Sequence, residues 1–198
     1  MPRPNGPDRV AARKARLERH AGETDPEIVL NAAARFLEAR QRSVQEVRRH
    51  LADARYPADL VERAIERLVE LRWLDDETFA RSWVESRDRA HPRGQQALRR
   101  ELALKGIDRT LVDTVLAERS GEDATPIDGD GPDDASADER AATRLLSKKS
   151  ATLGRVEDRR LRRQRAYALL ARSGFDADVC REVSARFVDD DSAADPDL

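Results

Sequence analysis

The side chains most able to do chemistry in this sequence are basic, and they cluster in one short run. Five of the seven residues from 159 to 165 are arginines, namely Arg159, Arg160, Arg162, Arg163 and Arg165. On a helix this spacing sends guanidinium groups to nearly every side, so several of them must face solvent together. Such a surface neutralises phosphates by releasing their counterions, which gives salt-sensitive, sequence-independent binding. The run therefore predicts contact with DNA phosphates or with an acidic partner, and the simplest alternative is a solvated helix face.

Other basic residues extend this prediction. Three of them precede the run, namely Lys148, Lys149 and Arg155. Two pairs recur at matching places earlier in the chain, namely Arg48 with Arg49 and Arg99 with Arg100. These pairs mark either a repeated edge that faces a partner or the simple duplication of a structural unit. Tyr167, just after the run, could stack on a nucleic-acid base or pack against its own unit.

No set of residues in the sequence indicates catalysis. The acids at 75–77 could form a carboxylate cluster, but acids at a helix start more simply accept hydrogen bonds from free amides and oppose the positive end of the helix dipole. Cys180 falls at an apolar position of a repeat, where a free cysteine acts as a small hydrophobe. The histidines His20, His50 and His91 share no metal-ligand spacing, and no phosphate-binding glycine loop is present. The sequence predicts a protein that is not an enzyme and that needs no cofactor or metal.

The charges are unevenly distributed although they nearly cancel. The 198 residues include 37 basic and 39 acidic side chains, a net charge of −2. Residues 120–139 carry eight acidic side chains and no basic one, residues 140–188 carry 13 basic and five acidic ones, and the last ten residues hold five Asp. This asymmetry indicates a charged partner such as nucleic acid. It also motivates the hypothesis that the acidic segments fold back over the basic one.

Composition narrows the fold class and the compartment. No stretch alternates Val, Ile, Thr and aromatic residues as a strand does, which favours helices. One cysteine allows no disulfide within the chain. No apolar run approaches the roughly 18 residues that span a membrane, and residues 1–23 lack the apolar core of a secretory signal. We expect a cytoplasmic protein without membrane contact.

Three helix–turn–helix units repeat along the chain. The same spacing separates three apolar residues in each unit, namely Leu51, Tyr56 and Leu60, then Leu102, Ile107 and Leu111, then Leu170, Phe175 and Val179. The second unit is offset by 51 residues from the first, and the third by 68 from the second. A further helix precedes each pair, and stacked neighbours must complete the core. The sequence predicts an all-α fold of tandem three-helix repeats in an elongated, curved array. Since stacking uses up the apolar stripes, we expect a monomer.

The predicted boundaries follow from these features. They are a disordered basic tail at 1–24, a first three-helix repeat at 25–74, a second at 75–119, an acidic disordered linker at 120–139, a basic third repeat at 140–188 and an acidic disordered tail at 189–198. Charged segments poor in apolar residues cannot bury enough surface to offset the loss of chain entropy on folding. Gly106 and Gly174 mark turns in which a helix ends on a left-handed residue, and Gly94 also reads as a turn glycine.

Three segments resemble the RecX family of bacterial regulators of the RecA recombinase. They are residues 33–43 (AARFLEARQRS), residues 68–80 (LVELRWLDDETFA) and residues 94–107, which include Glu101, Leu102, Lys105, Gly106 and Ile107. Each lies at its expected place in a three-helix repeat. The similarity covers residues 28–118 well and residues 140–188 weakly.

The resemblance implies tandem three-helix repeats and no catalytic activity. It also implies binding along the groove of the RecA filament on single-stranded DNA, with inhibition of RecA's ATP hydrolysis, strand exchange and co-protease role in recombination, DNA repair and the SOS response. The alternative is a stand-alone DNA-binding protein that places a helix-turn-helix in the major groove. Against it, the helices after Tyr56 and Ile107 carry mixed charge instead of the Arg, Asn and Gln that read bases.

Overall fold

The protein is built from α-helices. The computed structural model describes residues 6–120 and 135–193, and within these ranges it contains eleven helices and no strand. In chain order they are α1 (Gly6–Ala21), α2 (Pro26–Glu38), α3 (Val44–Asp53), α4 (Ala58–Glu70), α5 (Asp76–Ala90), α6 (Gln95–Leu104), α7 (Arg109–Ser120), α8 (Ala137–Ser147), α9 (Ser150–Leu153), α10 (Arg159–Arg172) and α11 (Ala177–Ala193). None of these helices is long and apolar enough to cross a membrane. The predicted all-α class with tandem three-helix repeats is confirmed.

The described residues form two compact units. The first unit falls within Met1–Phe79 and Lys105–Ile107. The second falls within Ala80–Leu104 and Asp108–Leu198. The short segment 105–107 joins the first unit because the Ser43 hydroxyl donates to the Lys105 carbonyl oxygen at 2.6 Å. The turn of the second repeat thus belongs to the same compact unit as the first repeat, and the predicted repeat boundaries stay a prediction.

Three helices that start in the first unit, α2, α3 and α5, begin at side-chain caps. The Asp25 carboxylate caps α2, Ser43 and Glu46 form a complete capping box at α3, and Asp75 accepts amide hydrogen bonds at the start of α5. Each cap satisfies backbone N–H groups that have no carbonyl partner in the first turn. The acid at position 75 therefore has the helix-capping role that the sequence favours.

The core of the first unit lies between α2, α3 and α4. The apolar residues of α4 recur every three or four positions, which places them on one face of the helix. The buried residues of this core are Val29, Ala33, Val47, Leu51, Leu60, Val61, Ala64, Ile65, Leu68 and Leu74. The three apolar residues of the first predicted repeat all contribute to this core. Leu51 and Leu60 are buried in it, and Tyr56 packs against it.

Residues 6–21 form α1, which corrects the expectation of a disordered tail at 1–24 for these residues. The His20 Nδ1 atom lies 3.0 Å from the Ala54 carbonyl oxygen. The His20 ring stacks on the Tyr56 ring with 4.2 Å between centroids. The anchor of α1 is thus a tertiary contact with the turn after α3, which the highly charged composition of the segment does not reveal.

The turn between the last two helices of each repeat has a left-handed backbone. The φ angle is 66° at Arg55, 80° at Gly106 and 83° at Gly174, positions related by the 51- and 68-residue offsets. Glycine adopts this conformation without the steric cost that a Cβ atom brings. The two predicted glycine turns are confirmed, and the first repeat has an arginine in the same conformation.

In the second unit, α8, α10 and α11 enclose a separate apolar cluster. Its buried members are Ala141, Ala142, Leu146, Leu153, Ala166, Leu170, Phe175, Cys180 and Val183. These residues include the third copy of the repeated spacing, Leu170 and Phe175. The third repeat therefore has its own small core.

A buried arginine ties α5, α7 and α8 together in the second unit. Arg119, whose side chain is only 6% exposed, donates to both Asp88 oxygens (2.8 and 2.9 Å) and to Asp138 (2.6 Å). Burial alone would lower the pKa of Arg119, but the two carboxylates outweigh it and hold the pKa above its ordinary value. The other Asp138 oxygen accepts from the Gln95 amide (3.0 Å) at the start of α6. One acidic side chain thus fixes the relative positions of three helices.

The acidic segments are partly helical, which corrects the expectation of disorder for the residues involved. The α8 helix begins at Ala137 behind a Ser136–Glu139 capping box, inside the predicted linker at 120–139. The α11 helix continues to Ala193, inside the predicted tail at 189–198. The remaining parts of the predicted disordered segments, residues 1–5, 121–134 and 194–198, lie outside the described residues.

Candidate functional site

The arginine run lies on the first two turns of α10, which begins at an aspartate cap. Asp158 accepts hydrogen bonds from the amides of Arg160 (2.8 Å) and Leu161 (3.1 Å). The buried residues of this helix are Ala166 and Leu170, both in its later turns. The first turns contribute no fully buried side chain; their arginines are exposed except Arg162, which is half-buried.

Three of the predicted bases bind groups of their own chain. Lys148 Nζ donates to two carbonyl oxygens at the C-terminal end of α5 (2.6 and 3.1 Å), where a cation offsets the negative end of the helix dipole. Arg159 pairs with Asp189, and Arg162 donates to a backbone carbonyl of the preceding loop (2.9 Å). These contacts give the three cations structural roles within the second unit.

Two other predicted arginines line a shallow groove between α10 and α11, which we call the α10–α11 groove. Its volume is about 310 Å³. The lining residues are Arg160, Arg163, Gln164 and Tyr167 from α10, and Arg181 and Ser184 from α11. The four α10 residues share one face because they follow the i, i+3, i+4, i+7 spacing of a helix. The groove thus combines three guanidinium groups with a phenol ring, a carboxamide and a hydroxyl, a set that can hold an anion beside a ring.

The cations of the α10–α11 groove are available to a partner. Arg160 and Arg163 are exposed, and neither pairs with an acid among the described residues. Arg181 pairs with Asp178, but both side chains are more than 60% exposed, and such surface pairs contribute little to stability. Tyr167 is half-buried against the core of the third repeat. The ring of Tyr167 packs on the core and also lines the groove. Packing within its own repeat and stacking on a nucleic-acid base are therefore both compatible with its position.

Sequence reasoning missed Arg181 as part of this set. It lies 18 residues beyond Arg163, and only the packing of α11 on α10 brings the two together. The signal that could have found it is the repeat offset of 68 residues, which aligns Arg181 with Asp113 of the second repeat.

The remaining predicted bases of the third repeat are exposed outside the groove. They are Lys149, Arg155 and Arg165. Arg165 is two positions from both Arg163 and Tyr167, which places it about 160° around the helix from them. The structure therefore does not bring these residues together with the groove cations.

Two of the predicted arginines of the first two repeats form ion pairs with an acid of the next helix. Arg48 donates to both Glu62 oxygens (2.7 and 2.8 Å), and these hydrogen bonds raise its pKa. Arg99 donates one hydrogen bond to Asp113 (3.1 Å). Their neighbours Arg49 and Arg100 are exposed. Duplication of a structural ion pair accounts for Arg48 and Arg99, and a partner-facing edge stays an expectation for Arg49 and Arg100.

The side chains considered for catalysis have structural partners. Asp76 accepts from the Val44 amide at 2.9 Å, at the start of α3. Cys180 is fully buried in the apolar core, and burial raises its pKa. His50 stacks on Phe36 with 3.8 Å between ring centroids. Within residues 6–120 and 135–193, no group of three or more His, Cys, Asp or Glu side chains is placed to hold a metal ion.

Comparison with known proteins identifies the repeats. Residues 30–68 match the model of the first three-helix domain of RecX, and residues 75–116 match that of the second. The chain is 35% identical over 149 residues to the regulatory protein RecX of Mycobacterium ulcerans, which covers 75% of this chain and 78% of that protein. It is 31% identical over 160 residues to the regulatory protein RecX of Chlorobium phaeobacteroides, covering 81% of this chain and 93% of that protein.

A solved structure agrees with this result at the level of the fold. The crystal structure of RecX from Lactobacillus salivarius superposes with a TM-score of 0.64 at 18% identity, covering 82% of this chain and 96% of that one. At this identity the superposition supports the fold, and the identity over aligned sequence supports the family. By the length and identity of these matches, the chain belongs to the RecX family of regulatory proteins.

Proposed function

We propose that this protein binds the RecA filament on single-stranded DNA and restrains RecA. The expected consequences are lower ATP hydrolysis, strand exchange and co-protease activity in recombination, DNA repair and the SOS response. Family membership supports a regulatory role, and the resemblance of residues 33–43 and 68–80 to regulators of RecA supports the choice of partner. The observation that carries the proposal is the cluster of exposed cations that lines the α10–α11 groove, a surface suited to a protein–DNA filament. Two of these cations, Arg160 and Arg163, pair with no acid among the described residues.

The proposed action is by binding and involves no catalysis. A ligand shifts an equilibrium only by its differential affinity for the two states, so the protein must bind assembled filament more tightly than free RecA. It does so as a monomer in the cytoplasm, without a cofactor. The first two repeats keep Arg48 and Arg99 in internal ion pairs, and the third repeat supplies the anion-binding surface.

The test is single-strand-dependent ATP hydrolysis by the cognate RecA. The protein is titrated below one copy per RecA, after filaments have formed. We expect strong inhibition at these ratios, because one bound copy on a filament affects several RecA subunits. A matched titration with the Arg160→Glu, Arg163→Glu double variant measures the part played by the third repeat.

One outcome would favour the alternative function. If RecA hydrolyses ATP at an unchanged rate while the protein binds DNA in the same buffer, regulation of RecA is excluded under these conditions. A stand-alone DNA-binding protein is then the better assignment, and sequence-specific protection of a duplex would establish it.

A further inference from the structure

An ion pair joins the last two helices of each of the first two repeats at the same repeat position. Arg48 on α3 pairs with Glu62 on α4, and Arg99 on α6 pairs with Asp113 on α7. The two pairs are offset by 51 residues, the offset that relates the two repeats. In each repeat the pair links the two helices at the surface and neutralises both charges.

The third repeat replaces both members of this pair. An offset of 68 residues puts Tyr167 at the position of Arg99 and Arg181 at that of Asp113. The base has become a ring, and the acid has become a base. Gln164 keeps the glutamine of the first two repeats, Gln45 and Gln96. The ion pair of the first two repeats is thus replaced here by a ring and a base, which makes the α10–α11 groove basic.

We propose that the α10–α11 groove is a binding site for single-stranded DNA. Arg160, Arg163 and Arg181 contact successive phosphates, and the exposed part of the Tyr167 ring stacks on a base. This inference deepens the proposed function and rests on it for the choice of DNA as the ligand. It assigns direct contact with the strand to the third repeat.

Two features favour a nucleic-acid strand over an acidic protein segment. An acidic peptide would use the three guanidinium groups but would leave the ring and the carboxamide of the groove without a matching planar partner. Stacking requires an unpaired base, so the strand must be single, whereas a duplex could use only the cations.

The first experiment measures binding of the full chain to fluorescein-labelled oligothymidylate by anisotropy, without RecA. We expect the Arg160→Gln, Arg163→Gln double variant to bind at least about tenfold more weakly at low salt. Its slope of log affinity against log salt should fall by about 1.4, or about 0.7 for each lost phosphate contact. The matched control is Arg155→Gln with Arg165→Gln, which removes the same charge outside the groove and should leave most of the slope intact.

Three further variants test the ring and the basic residue at position 181. Tyr167→Arg with Arg181→Asp rebuilds the ion pair of the other repeats. It should therefore preserve the helical circular dichroism spectrum and greatly weaken the binding of oligothymidylate at low salt. Tyr167→Phe keeps the ring and should bind as the wild type does. Tyr167→Leu should bind roughly tenfold more weakly, in line with the loss of one stacked base.

Three results would overturn the inference. The first is an equal loss of affinity and of salt slope in the groove double variant and in its control double variant, which would mean that net charge alone sets the affinity. The second is equal affinity for a duplex, or for a polyglutamate peptide of the same charge, which would point to an acidic partner. The third is wild-type binding by the rebuilt ion-pair variant. RecA is absent from these assays, so they test DNA binding by the groove independently of RecA inhibition. Either proposal can therefore be rejected while the other is retained.

Discussion

At the residue scale, Glu46 is the point of the first unit where several hydrogen bonds converge. It accepts from Arg40 (3.0 Å) and Lys105 (2.7 Å) and from the backbone amide of Ser43 (3.3 Å), and its side chain is 15% exposed. Burial raises the pKa of Glu46, but hydrogen bonds from Lys105, Arg40 and Ser43 outweigh it, so the pKa lies below its ordinary value. The ionised carboxylate therefore stabilises the folded state.

The Glu46→Gln substitution tests this through pH. A carboxylate whose pKa is lowered by folding adds stability above its unfolded pKa of about 4.3 and loses it as the pH falls through the folded pKa. At neutral pH we expect a loss of about 2 kcal/mol in the free energy of unfolding by urea, a size typical of hydrogen bonds to charged groups. The loss should shrink as the pH falls below about 4. A pH-independent difference would contradict this account, and Glu118→Gln, in an exposed pair, is the control with a small expected effect.

The sequence predicts which residues are basic, but it does not predict which of them are free. Arg159 and Arg163 are one turn apart in the same run, yet Arg159 pairs with Asp189 while Arg163 lines the groove. The difference depends on which side chains of α11 face each position, and it is set by tertiary packing. The same reason hides the Arg119–Asp88–Asp138 cluster, whose members come from three helices.

At the scale of elements, the sequence predicts the helices that carry a repeated apolar spacing. The pattern of Leu51, Tyr56 and Leu60 recurs twice because each repeat must bury the same face. The sequence does not predict α1, which depends on the contact of His20 with Tyr56, or the single turn α9, which is too short to show a period. Elements held by their own periodicity are therefore predictable, and those held by one distant contact are not.

The contact between Gly94 and the turn after α10 also belongs to this scale. The Gly94 amide donates to the Ser173 carbonyl oxygen at 3.1 Å, and a Cβ atom on Gly94 would lie 2.2 Å from the Gly174 carbonyl oxygen. The two backbones approach so closely that only glycine fits at position 94. The sequence interpretation of Gly94 as a turn glycine thus misses its main role, which is to let α6 and the third repeat pack together.

We expect Gly94→Ala to separate these elements. The added methyl group meets backbone atoms that cannot rotate away, so the free energy of unfolding should fall by about 2 kcal/mol or more. Limited proteolysis should then cut the third repeat faster than in the wild type. Gly154→Ala is the matched control, because its Cβ atom would lie 3.2 Å from one carbonyl oxygen and its φ of −62° suits alanine. Equal stability of the two variants would exclude a packing role for Gly94.

At the scale of the whole molecule, charge is segregated along the chain. The net charge of −2 conceals a segment, residues 140–188, in which 13 basic side chains face five acidic ones. Five Asp follow at once in the last ten residues, and the first of them already pairs with Arg159 on α10. Asp189 therefore lies next to the basic helix, where its charge lowers the positive potential that an approaching phosphate meets.

Changing the five Asp of residues 189–198 to Asn should therefore tighten the binding of single-stranded DNA. We expect an increase of several-fold at low salt, where the Debye length reaches about 30 Å, and no increase near 1 M salt, where it is about 3 Å. The control changes Glu122, Asp123, Asp128, Asp130 and Asp133 to the corresponding amides, an equal change in net charge placed before the third repeat. A larger effect of the tail variant would mean that the tail acts locally on α10. Equal effects would mean that net charge alone sets the affinity, and no effect of either would discard electrostatic competition by the acidic segments.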